Sequence, residues 1–168
     1  MQPIFSIITV VFNGEAYIEG TIQSVVNQTY PHVEYLIIDG ASKDKTLEIV
    51  KKYTEKHSIK CISERDKGLY DAMNKGLKMA TGDFVLFLNA GDRLISRDTL
   101  EKIAASATPQ TDILYGETML VDENYRHIGT RSELTVQKLP EELTWRSMKN
   151  GMVEIGRASC RERVSIDV

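Results

Sequence analysis

Cysteine is scarce in this sequence: Cys61 and Cys160 are the only two among 168 residues. That is too few for a disulfide framework or a four-cysteine metal cage, and it suits a reducing compartment, with Cys61 read as a small apolar residue in a strand. A surplus of basic charge is missing as well. Lysine and arginine number 21 against 24 acids, a formal net charge of −3, so nothing draws nucleic acid or anionic lipid electrostatically. No nucleic-acid partner is expected, and a phosphate-bearing ligand has to be held by a local device. Long apolar runs are absent too. The most apolar stretch, Ile4 to Phe12, is interrupted by Ser6 and Thr9 and is too short to span a bilayer, and no charged leader precedes it. The expectation is a cytoplasmic protein, compatible with a peripheral seat on the inner membrane. The turn Val11-Phe12-Asn13-Gly14-Glu15 lacks the glycine-rich dinucleotide fingerprint, and no Gly-Lys-Ser or Gly-Lys-Thr follows a strand. A backbone phosphate cradle is therefore not indicated. His32, His57 and His127 are scattered and suggest no zinc-type cluster.

What is present is a pattern that switches repeatedly between buried strand and amphipathic helix, as in a parallel sheet covered on both faces by helices. A strand is expected over Ile4 to Val11, followed by a helix from about Glu15 to Gln28 with Ile18, Ile22, Val25 and Val26 inward and Asn13 as N-cap. A second strand, Tyr35 to Ile38, precedes a helix buried through Leu47, Ile49, Val50 and Tyr53 and capped by Ser42 or Asp44. A short strand is expected at Ile59 to Ile62. The next helix, about Leu69 to Ala80, gathers Leu69, Ala72, Met73, Gly76, Leu77 and Ala80 on one face, with Gly82 expected as a left-handed C-terminal residue. Phe84 to Leu88 reads as a strand, and Ser96 as the opening of a helix whose inner face is Leu100, Ile103, Ala104 and Ala107. Beyond Pro109 the rhythm changes. Ile113 to Val121 and His127 to Thr130 read as antiparallel strands around a turn at Asp122 to Arg126.

In open parallel sheets ligands bind outside the carboxyl ends of the strands. Those ends carry Asn13, Asp39, Asp66 and the run Asn89-Ala90-Gly91-Asp92. Each taken singly could be only a helix cap or a turn former. Four successive strand ends with acids or amides on one rim are harder to explain that way. Carboxylates repel a diphosphate unless a hard divalent cation stands between them, and they accept hydrogen bonds from a nucleobase imide or a ribose hydroxyl.

The segments Phe5 to Asn13, Gln28-Thr29-Tyr30, Ile37 to Asp44, Asp66 to Gly76 and Ala80 to Asp92 together resemble a family 2 glycosyltransferase of the GT-A fold. The resemblance is close over Phe5 to Asp92 and loose over Ile113 to Thr130. It implies an α/β, Rossmann-like, mostly parallel sheet with helices on both faces and an antiparallel addition after about residue 110. It also implies an inverting transferase that moves a sugar from a nucleotide diphosphate sugar, with a UDP-sugar expected, to a hydroxyl of a surface polysaccharide or lipid-linked glycan. By the same resemblance Val11, Asn13, Asp39, Asp66 and Asn74 contact the donor nucleotide, and Asp92 with Asn89 holds magnesium or manganese. The family's Asp-x-Asp reads here as Asn89-Ala90-Gly91 followed by Asp92, and losing a carboxylate weakens affinity for a hard cation. The catalytic base of the family lies later in the chain. Glu117, Asp122, Glu141 and Glu142 are the late acids, none in a recognisable base motif, and Trp145 suggests the beginning of an acceptor wall.

Residues 1–153 are expected to form the donor domain, incomplete at its C-terminal side. The string Glu154 to Val164, EIGRASCRERV, has neither helical nor strand periodicity and is what in-frame translation of a common sequencing adapter produces. Residues 154–168 are accordingly expected to be a non-native tail, with the base missing from the chain. Two rivals follow: a nucleotide-sugar-binding fragment without turnover, and a magnesium-dependent phosphotransfer receiver. The second is disfavoured, because such receivers need paired acids where this chain has Asn13 and Gly14.

Overall fold

The computed structural model describes residues 2–114, 116–122 and 124–134 and the backbone of 163–167. Its first part alternates strand and helix: β1 (Phe5–Val11), α1 (Ile18–Val26), β2 (Val33–Asp39), α2 (Thr46–Thr54), β3 (Ile59–Ser63), α3 (Leu69–Met79) and β4 (Phe84–Phe87). The four strands lie in the order β3-β2-β1-β4 and every pairing is parallel. The chain moves outward from β1 to β3, then crosses back to place β4 on the other side of β1. That reversal is a topological switch point, and the crevice at such a point, outside the carboxyl ends of β1 and β4, is where open α/β sheets bind ligands.

β1 is buried along its whole length. Phe5, Ile7 and Val11 point to one core with Ile18, Ile22 and Val25 of α1 and Val50 of α2, while Ile8 and Val10 point to the other with Ala72 of α3. Fully burying a side chain such as Ile7, Ile8, Ile37 or Ile38 stabilises the fold by about 1.5 to 3 kcal/mol each. The polar members of β1 are satisfied, Thr9 Oγ1 lying 3.1 Å from the buried Tyr35 hydroxyl. Gly76 lets α3 sit close on the sheet, since a Cβ there would come within 2.5 Å of Ile8 Cγ2.

The remaining elements are β5 (Arg93–Leu94), α4 (Thr99–Ser106), β6 (Glu117–Val121), β7 (His127–Thr130), α5 (Arg131–Leu134) and β8 (Arg163–Asp167). β6 and β7 form the expected antiparallel hairpin, and the second sheet has the order β5-β8-β6-β7. The Gln28-Thr29-Tyr30 segment anchors α4: Leu100 N–H donates to Gln28 Oε1 at 3.0 Å, and Gln28 Nε2 donates to Ser96 O at 2.7 Å.

Several expectations need correction. Gly82 is not left-handed, being absent from the positive-φ glycines; α3 ends in an extended Ala80, and Gly82 is small because a Cβ would stand 2.6 Å from Ile4 O. Leu69 and Leu77 are 53% and 50% exposed, so α3 buries the narrower face of Ala72 and Gly76. Ser96 lies before α4, whose N-cap is Asp98. The strand expected from Ile113 begins only at Glu117. Asn13 does not cap α1, which starts at Ile18. At the end of the chain the backbone of Arg163–Asp167 is a strand between β5 and β6, reaching back only two residues into the string 154–164 for which no strand is expected.

Candidate nucleotide-sugar site

The carboxyl rim is built by two interlocked loops. Gly40 N–H donates to Val11 O at 2.9 Å, continuing the β1–β2 pairing in which Val11 faces Asp39. Asn13 N–H then donates to Ser42 Oγ at 2.8 Å, and Asn13 Oδ1 accepts from Lys43 N–H at 2.9 Å. Gly14 N–H donates to Thr46 Oγ1 at 2.9 Å, Glu15 N–H to Asp44 Oδ2 at 3.0 Å, and Glu15 Oε2 accepts from Lys45 N–H at 2.8 Å. These contacts tie Glu15 to the loop before α2, and the helix begins at Ile18, where its apolar stripe begins, and not at about Glu15. They also hold Asn13 at φ 49° and Ala41 at φ 62°. The left-handed region costs an alanine about 1 to 2 kcal/mol.

Asp39 ends β2 with no exposed surface. Its Oδ2 accepts from Ser42 N–H at 3.0 Å and from the Ser63 hydroxyl at 2.6 Å, while Oδ1 is buried and has no hydrogen-bond partner. Ser63, which the sequence reading passed over, is the register partner of Asp39 across β2 and β3. Cys61 of β3 is half-buried, and burial followed by the charge of Asp39 pushes its thiol up to about 11. Asp66 reaches the same corner. Its Oδ1 accepts from Gly68 N–H at 3.0 Å, and its Oδ2 would stand 2.7 Å from a Cβ on Gly40, with Phe12 Cδ2 at 3.4 Å from that position. Phe12 was also overlooked; it is 62% exposed at the end of a buried strand, an anomaly legible in hindsight as an apolar residue one step beyond the core. Lys75 serves as counter-charge: burial alone would lower its pKa, but Glu64, Asp71 and Asp66 outweigh that and raise it. Asn74 is exposed on α3, and among the described residues its side chain makes no hydrogen bond to the others.

After β4 comes a tight turn. Asp92 N–H donates to Asn89 O at 2.9 Å, and Gly91 has φ 108°. A turn with positive φ at its third residue strongly favours glycine, so glycine in an acidic place has a backbone reason. Thr21 of α1 fastens the turn, accepting from Gly91 N–H at 2.9 Å and donating to Asp92 O at 2.8 Å. A threonine inside the stripe Ile18, Ile22, Val25 was the signal that could have revealed it. Asn89 Oδ1 is buried without a partner, and Asp92 is buried. Asp39 Oδ1 and Asn89 Oδ1 are thus two rim oxygens, on residues singled out from sequence, that no donor among the described residues meets. Glu117 Oε1 accepts from Thr118 N–H and Ser132 N–H, and Asp122 Oδ1 from Asn124 N–H and Arg126 N–H. Glu141, Glu142, Trp145 and Cys160 lie outside the described residues.

The family model of glycosyl transferase family 2 matches residues 6–160. This chain belongs to that family. A PGL/p-HBAD biosynthesis glycosyltransferase of Mycobacterium bovis (strain BCG / Pasteur 1173P2) is 37% identical over 131 residues, which are 76% of this chain and 51% of the relative. An uncharacterized glycosyltransferase of Haemophilus influenzae is 38% identical over 103 residues, 60% of this chain and 41% of its own. The chain spans about half the length of the curated relatives it matches. Among solved structures, S. aureus TarS 1-349 in complex with UDP-GlcNAc superposes with a TM-score of 0.57 and 35% identity over 61% of this chain and 30% of that one. The mannosyltransferase PcManGT from Pyrobaculum calidifontis, in complex with GDP-Man and Mn2+, gives 0.61 and 26% over 73% and 35%. The fold is GT-A: a parallel α/β sheet with helices on both faces and an antiparallel addition.

In this family 2 domain no helix among the described residues is long and apolar enough to cross a membrane. No group of three or more acid, cysteine or histidine side chains among them forms a metal cage. Magnesium sites commonly use one or two carboxylates and complete their shell from substrate phosphates. The unmet amide oxygen of Asn89 and the carboxylate of Asp92, in one turn, fit that hard-oxygen chemistry in kind, with one charge fewer than Asp-x-Asp supplies.

Proposed function

We propose that this chain is the donor-binding part of an inverting glycosyltransferase that uses a UDP-sugar and glycosylates a hydroxyl of a surface polysaccharide or lipid-linked glycan. The observation that carries the reading is Asp39: Oδ2 is engaged twice and Oδ1 is unmet. One unpartnered carboxylate oxygen matches the single imide N–H of uracil, whereas guanine presents two adjacent N–H donors suited to a carboxylate with both oxygens unpartnered. The base would enter beside Phe12, with Asp66 and the Asn13 loop bordering the ribose. Asp92 and Asn89 would hold a magnesium or manganese ion, which when bound neutralises the diphosphate. In an inverting transfer the acceptor oxygen attacks the anomeric carbon as the bond to phosphate breaks, and a base takes the hydroxyl proton.

A second reading, binding without turnover, is favoured by Glu117 among the late acids. Glu117 is held below the usual glutamate range, because hydrogen bonds from Ser132 and Thr118 outweigh the upward push of burial, and a depressed pKa makes a poor base. The division at residue 153 belongs to the same proposal, with the base missing from this chain. Calorimetric titration with UDP and GDP tests the donor site: UDP should bind more tightly, and manganese should tighten it only while Asp92 is present. Equal affinity for the two nucleotides, or equal manganese enhancement in Asp92→Ala, would remove these assignments. A transfer assay on the same preparation separates the two readings.

A further inference from the structure

Arg93, the residue after Asp92, is held by two contacts. Its guanidinium carbon lies 3.6 Å from the centroid of the Tyr125 ring. It also lies against the bare backbone of α1 at Gly20, where a Cβ would come within 2.5 Å of Arg93 Cζ. Tyr125 sits in the β6–β7 turn at φ 59°, a region where a bulky side chain is an outlier. Asp122 holds it there: Tyr125 N–H donates to Asp122 O at 2.9 Å, and the Asp122 carboxylate takes the N–H groups of Asn124 and Arg126, both at 2.8 Å. A turn needed only to reverse the chain would be better served at this position by glycine or asparagine. A strained residue persists where its surroundings over-determine it, and here the ring placed on Arg93 supplies the reason. The next residue of α1 after Gly20 is Thr21, which binds both Gly91 N–H and Asp92 O.

We propose that Arg93 and Tyr125 are positioning residues: a cation–π latch from the β6–β7 hairpin, together with Thr21, sets the Asn89–Asp92 turn in the geometry that presents Asp92 to a divalent cation. This inference rests on the donor-site reading above. Arginine is required because a planar guanidinium can stack on a ring while its Cζ, Nε and Nη2 crowd Gly20, as a compact ammonium cannot.

The test is UDP titration of the 168-residue chain with and without manganese, alongside a melting curve, for wild type, Tyr125→Gly, Tyr125→Phe and Arg93→Lys. Tyr125→Gly removes the ring and relieves the backbone, so the melting temperature and the metal-free affinity should hold. Its manganese enhancement should fall by about threefold or more, as loss of a cation–π contact implies. Arg93→Lys should lose enhancement similarly, and Tyr125→Phe should retain it. Unchanged enhancement in Tyr125→Gly, or an equal loss with and without manganese, overturns the latch. Wild-type UDP binding that manganese does not improve also overturns it, leaving the donor site standing. No UDP binding by the wild type overturns the donor reading and the latch with it.

Discussion

At the amino end of the parallel sheet Glu34 commits both carboxylate oxygens to protein donors, whereas at the carboxyl end Asp39 commits one and leaves the other unmet. Glu34 Oε2 accepts from the Ser6 hydroxyl at 2.6 Å and Thr81 N–H at 2.8 Å, and Oε1 from Lys60 Nζ at 2.8 Å and the Thr81 hydroxyl at 3.0 Å. Burial by itself would raise this carboxyl, but the hydrogen bonds of Lys60, Ser6 and Thr81 outweigh it and bring the pKa to about 2. The amino end is therefore a clamp that joins β1, β2, β3 and the segment between α3 and β4. The carboxyl end keeps acceptors that no donor among the described residues meets, and leaving a buried acceptor unmet lowers stability. The sheet thus has one saturated end and one unsaturated end, and the proposed donor site lies at the second.

Glu34→Ala should have the largest effect, destabilising by about 3 kcal/mol because the Ser6 hydroxyl and Thr81 N–H lose their acceptor. Chemical denaturation measures it, and UDP affinity of the folded fraction should not move. The same clamp makes stability pH-dependent. The folded-state pKa of about 2 lies below the ordinary 4.5, so the contribution is complete above about pH 4.5 and is lost as pH falls toward 2. In Glu34→Gln that part of the acid slope should disappear. Asp39→Asn should do the opposite of Glu34→Ala: stability stays within about 1 kcal/mol, since Ser42 and Ser63 keep an acceptor. UDP binding weakens by roughly 1.5 to 3 kcal/mol as an N–H replaces the unpartnered oxygen. A stability loss with unchanged UDP affinity would make Asp39 as structural as Glu34. Asn89→Asp, which adds the missing charge, should raise the manganese enhancement of UDP binding by about 1 kcal/mol by calorimetry. Ala41→Gly should have the smallest effect, a gain of up to about 1 kcal/mol from releasing the left-handed alanine, partly offset by the freer unfolded chain.

The strand ends were legible because burial on both faces leaves a continuous apolar run that stops abruptly at a polar residue, as Val11 gives way to Asn13 and Ile38 to Asp39. Which acid or amide then meets which partner was not legible. Asn13 has the chemistry of a cap, and only the arrival of Ser42 and Lys43 beside it decides that it ties loops instead. Gly82 follows a helix as a left-handed residue would, yet its smallness answers the approach of Ile4 and Ser6, far away in sequence. The face of α3 was over-read at Leu69 and Leu77, because helical spacing identifies a stripe and not how much of it the sheet covers. The side chains that hold the rim, Thr21 and Ser63, are small hydroxyls whose roles come from register and packing.

The side-chain contacts joining the β1 and β2 loops span 29 to 32 positions in sequence. They cannot form until β1 and β2 have paired, and pairing that slips by one residue would turn Asp39 to the opposite face. Helices can therefore appear in the refolding chain well before it acquires any affinity for a nucleotide. Contacts of such long range are slow to close. A nucleotide that recognises only the finished rim would leave the refolding rate unchanged and act entirely by retarding unfolding.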